Sequence, residues 1–69
     1  MAFEAGDRVE LTRRVLNVPR GWIGTVQRAY QNGNYHVRIT HKSGCVLLVQ
    51  PIGLLSVPPD ALAPSNCPE

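Results

Sequence analysis

Three groups of side chains in this chain have types and spacing that bear on chemistry: His36, His41 and Cys45; Arg8, Arg28, His36 and Arg38; and Trp22, Tyr30 and Tyr35. The first group holds zinc-ligand residue types. Its order, His-x4-His-x3-Cys, matches no zinc signature, and the two histidines fall at opposite ends of one expected strand. No nucleophile–base–acid set is arguable either. Cys45 borders an apolar run, and the carboxylates Glu4, Asp7, Glu10, Asp60 and Glu69 are scattered along the chain. A glycine-rich phosphate loop is also missing. The residues therefore point to no catalytic set, no cofactor and no metal.

The second and third groups suit recognition better than catalysis. Every basic residue except Lys42 is an arginine, the side chain suited to planar, bidentate and stacked contacts. Trp and Tyr combine a large apolar area with a polar tip and make favoured interface anchors. The surface expected to meet a partner is Trp22 with Arg28, Tyr30, Tyr35 and Arg38. The bland alternatives are an indole half-buried under a loop, tyrosines packed across a hairpin, and a solvated arginine face balanced by Glu10.

Those residues must be positioned by strands. Nineteen positions from Gly21 to Ile39, "GWIGTVQRAYQNGNYHVRI", read as two strands around a tight turn at "NGN", whose residues tolerate positive φ. Before them, Gly6–Thr12 alternates, with Val9 and Leu11 on one side and Arg8, Glu10 and Thr12 on the other. Residues 13–21 form a long first loop whose Val15, Leu16 and Val18 are expected to fold over the core. In the third strand, Tyr35, Val37 and Ile39 share one face and His36, Arg38 and Thr40 the other. Gly24, inside the second strand, signals a bulge, a bend or the close approach of another backbone.

The run "CVLLVQ", Cys45–Gln50, is apolar without alternation. One set of its side chains would fill the core, and the other needs cover. Self-association through Cys45, Leu47 and Val49 is the expected solution. Pro51 and Gly53 then predict a single helical turn over "PIGLL", followed by a short last strand, "LSV". The Pro-rich segment 58–69 reads as an irregular, mobile tail, which leaves 1–57 as the folded unit.

Composition sets the remaining bounds. At 69 residues the chain holds one domain with a modest core, and with 43% hydrophobic but 6% aromatic residues that core must be mostly Val, Leu and Ile. A net charge of +2, from 7 basic and 5 acidic residues, permits nucleic acid as a partner without the clustered excess such binders usually carry. The N-terminus has no apolar run with a basic flank, and "CVLLV" is too short to span a bilayer. A cytoplasmic protein with Cys45 and Cys67 reduced and no membrane association is expected.

Short strands, a long first loop, two hairpins and a helical turn before the last strand describe an all-β, five-stranded SH3-like small barrel. The segments "GDRVEL", "GWIGTV", "YHVRI" and "LLSV" resemble the GD-x-V, G-x-x-G-x-V and V-x-F patterns of small SH3-like barrels. That group includes KOW-type modules of ribosomal proteins and transcription factors and small barrel subunits of redox complexes. The resemblance covers about residues 6 to 57, and it implies an interaction module or accessory subunit, with a nucleic-acid-binding module as the alternative.

The scaffold also resembles the type II plasmid-encoded dihydrofolate reductases, through "GDRV", the spacing of Trp22, Gly24, Val26 and Tyr30, "GNYHV" and "PIGLL". That likeness implies an oligomeric pore enzyme. The family's V-Q-I-Y stretch, however, is replaced here by Leu47–Gln50, "LLVQ", so the expectation remains a non-enzymatic module.

Overall fold

A computed structural model describes residues 3–65. It is all-β, with strands β1 (Arg8–Leu11), β2 (Ile23–Ala29), β3 (Tyr35–Lys42), β4 (Val46–Val57) and β5 (Leu62–Pro64), and a single 3-10 turn at Pro59–Ala61. All ladders are antiparallel, and the sheet order is β4-β3-β2-β1-β5. Its two edges are therefore β4 and β5.

The period-2 patterning of the first three strands decides which face is covered. Val9 and Leu11 are buried, as are Val26, Tyr35, Val37 and Ile39. Cross-strand partners share a face, and the register places Val9 against Gly24, Gly24 against Ile39, and Val26 against Val37. Val18 from the first loop and Ala61 from the 3-10 turn complete this core. An isolated bridge between Val15 and Val18 folds the loop back, so those two residues meet the core as expected. Leu16 does not: it sits at φ 53° and is largely exposed.

Gly24 fulfils two of its expected roles at once. The β2–β3 register slips beside it, and a Cβ at this position would lie 2.4 Å from the Arg38 carbonyl oxygen. The turn at "NGN" is closed by Tyr30 N–H donating to the Asn34 carbonyl at 2.9 Å, with Gly33 at φ 91°. Asn34 then reaches across to β4, its Nδ2 donating to Ser56 Oγ at 2.8 Å.

Three expectations for the C-terminal half are corrected. Residues 51–55 form no helical turn; β4 runs unbroken for 12 residues through Pro51 and Gly53. The reason is a wide irregularity. Between the pairs His41–Leu47 and Ile39–Ile52, residues Leu48 to Pro51 have no β3 partner. At such a place on an edge strand the N–H that proline lacks breaks no ladder bond.

Second, segment 58–65 belongs to the fold rather than to a tail. Its Pro59 opens the 3-10 turn, where a fixed φ helps and a missing N–H costs little. Ala61 and Leu62 are buried, and β5 pairs with β1 through Leu11–Leu62, Glu10–Ala63 and Val9–Pro64. Thr12 holds the turn from the other side, its N–H donating to the Ala61 carbonyl and its hydroxyl to the Asp60 carbonyl. Residues 66–69 lie outside the described residues.

Third, Cys45 is neither in a strand nor reduced. It lies in the turn between β3 and β4, at φ 65°, and is disulfide-bonded. The sequence holds one other cysteine, Cys67, which lies outside the described residues.

Candidate functional site

Two surfaces remain once the core is assigned: the exposed side of β4 and the outward face of β1, β2 and β3. Along β4, Leu54 and Val57 are buried and Leu48 packs partly against the core. The rest of its apolar side chains face solvent. Val49 is fully exposed and Leu47 is 70% exposed, and Val46, Ile52 and Leu55 join them. Since the ladder releases Leu48 to Pro51, alternation breaks down here, and apolar side chains are presented on an edge with no further strand beside it.

Of the three residues expected at an oligomer interface, Leu47 and Val49 thus sit on this strip. Cys45 does not, because it lies in the turn that precedes β4. Val46, Ile52 and Leu55 were missed. The signal was present in their apolar character, but Pro51 and Gly53 divided the segment into pieces that hid a single strand.

The outward face carries the arginines. Register places Arg8 opposite Thr25, Thr25 opposite Arg38, and Arg38 opposite Gly53, so one row crosses four strands. Arg28 pairs with His36 in the next outward position. The guanidinium of Arg28 lies 5.8 Å from the Tyr30 ring centroid, within cation–π range. The expected set Arg8, Arg28, His36 and Arg38 is therefore gathered on one face.

The aromatic part of the expected partner surface is not gathered with it. Tyr35 is only 6% exposed; its hydroxyl accepts from the Phe3 N–H at 3.0 Å and its ring meets Phe3 edge-on at 5.7 Å. It is a core residue, placed there by the same alternation that buries Val37. Trp22 is half-buried against the core. It also precedes β2, whereas Arg28 and Tyr30 lie at that strand's far end, roughly 20 Å away along an extended chain. Tyr30 stays with Arg28, and Arg38 lies two positions along β3 from His36, the partner of Arg28.

The histidines are separated as well. His36 is half-buried on the outward face, whereas His41 is buried beside Ile23, with its Nδ1 2.8 Å from the Thr40 hydroxyl. Among the described residues no cluster of His, Cys, Asp or Glu is arranged to hold a metal ion. Among the described residues no helix is long and apolar enough to cross a membrane.

No protein-family model, curated protein or solved structure matches this chain.

Proposed function

We propose that this chain is a non-enzymatic interaction module of the SH3-like barrel type that self-associates through β4. The barrel reading is supported by the antiparallel order β4-β3-β2-β1-β5 and by the 3-10 turn directly before the last strand. The single observation that carries the functional reading is the apolar strip on the β4 edge, above all the full exposure of Val49 and the 70% exposure of Leu47. A long apolar edge strand is a template for pairing with another chain unless something blunts it. Here the strip carries no charged residue between Val46 and Val57. A second copy supplies the same strip and the same unpaired edge, so a two-fold arrangement covers both at once.

Light scattering over a range of protein concentrations tests this reading. The wild-type chain is expected to run as a dimer or larger assembly, and Leu47→Lys and Val49→Lys are each expected to return it to the monomer with the fold intact. A chain that is monomeric at every concentration, and whose lysine variants are no more soluble than the wild type, would remove it.

A further inference from the structure

A shallow cleft of about 280 Å³ opens on the outward face, lined by Gln27, His36, Arg38, Pro51 and Gly53. Three strands build it. Arg38 comes from β3 and is paired with Gly53 of β4, while Gln27 sits in the β2 bulge between the pairs Val26–Val37 and Arg28–His36. A bulge re-aims a side chain out of strict alternation. Gly53 is what keeps the space open: a Cβ there would be 3.9 Å from His36 Nε2, with no other atom within 4 Å.

The chemistry of the lining is one-sided. A guanidinium fork, an imidazole and a carboxamide can all donate hydrogen bonds here. Among the described residues none of the three makes a side-chain hydrogen bond or ion pair. The carboxylates nearest in sequence are engaged or placed elsewhere. Asp60 pairs with Arg13, Asp7 accepts from the Glu4 N–H, and Glu10 lines a separate depression near Cys45. Arg28, opposite His36 and held against the Tyr30 ring, adds a positive charge beside the cleft, outside its lining.

From this we infer that the cleft is a binding site for a small, doubly charged oxyanion, a phosphate monoester or a short dicarboxylate. Arg38 takes two oxygens through its fork, and His36 and Gln27 donate to the remaining one. The volume lies at the small end of ligand sites, which suits a ligand of a few heavy atoms beyond the anionic group. One guanidinium in the lining, a second beside it, and no facing carboxylate among the described residues favour a dianion over a monoanion.

The test is a titration of the full chain with inorganic phosphate and, separately, with succinate, followed by amide NMR at low ionic strength. Saturable shifts confined to Gln27, His36, Arg38 and Gly53 are expected for one or both ligands, and whichever binds tighter fixes the source. Arg38→Ala should weaken binding by about tenfold or more, the scale of one lost charge-assisted pair. Gly53→Val, which keeps every charge but fills the space, should weaken it as much while circular dichroism stays unchanged. The inference is overturned if neither ligand saturates, if shifts spread equally to Arg13, Arg14 and Arg20, or if Gly53→Val binds like the wild type. Binding of an oligonucleotide but of neither small ligand would also overturn it, by showing a diffuse polyanion surface instead of a built cleft.

Discussion

The two edges of the sheet are handled in opposite ways. At one edge, β5 is 3 residues long, ends in a proline, and is led in by a 3-10 turn whose Ala61 is buried. Thr12 and Arg13, just beyond β1, hold that turn by bonds to Ala61 and Asp60. At the other edge, β4 is 12 residues long, loses its pairing in the middle, and exposes most of its apolar side chains. A short edge with proline is the usual protection against pairing with other chains. The contrast teaches that edge protection is available to this sequence and is used on one side alone. The β4 side is left as a surface.

The strongest way to break this comparison is to damage the centre that both edges share. Gly24→Ala puts a Cβ 2.4 Å from the Arg38 carbonyl oxygen, where backbone rather than a flexible side chain must move. A loss of more than about 3 kcal/mol, or failure to fold, is expected from urea denaturation. A midpoint near that of the wild type would mean that the β2–β3 approach is looser than described.

Next in size is a contrast between neighbours within β4. Leu54 is 2% exposed and Leu55 is 69% exposed. Leu54→Ala should cost about 2–5 kcal/mol, through lost burial and the cavity left behind. Leu55→Ala should stay within about 0.5 kcal/mol when measured at a concentration where the chain is dissociated. If the cost of Leu55→Ala grows with protein concentration, the strip is covered by another copy, and the comparison is sharpened.

The smallest effect belongs to the β5 side. Arg13 and Asp60 approach to 3.2 Å, and both side chains are well exposed. A double-mutant cycle should assign the pair about 0–1 kcal/mol, reduced further by added salt. A coupling several times larger would make the ion pair, rather than the Thr12 bonds and buried Ala61, the tie that fixes this edge.

The first half of the fold was legible because its signals are local. Val9 and Leu11 alternate with Arg8 and Glu10, and Tyr35, Val37 and Ile39 alternate with His36 and Arg38; the apolar set is buried, while Arg8, Glu10 and His36 are half-buried and Arg38 is exposed. Gly24 and Gly33 sit where a close approach and a positive φ require glycine. The second half misled because its punctuation has two meanings. Pro51 and Gly53 end most elements, but on an edge strand beside a wide bulge they interrupt nothing. "PPDALAP" has the composition of a tail, but its Ala61 and Leu62 fill the last gap in the core. Site residues followed the same division. Arg8 and Arg38 were placed on their face by alternation, whereas Arg28 and Gly53 required knowing where the ladder slips.

By itself the sequence determined the class of the fold, the turn at Asn32–Asn34 and the outward placement of Arg8 and Arg38, whereas Arg28 faces outward only through the bulge at Gln27. Period-2 patterning and glycine tolerance act over a few residues and need no partner strand to be read. Tertiary structure alone decided that β4 is one strand, that residues 62–64 close the order beside β1, and that Gln27, His36 and Gly53 meet in one cleft. Those outcomes depend on register between strands distant in sequence, and a single slipped residue changes which side chains come together.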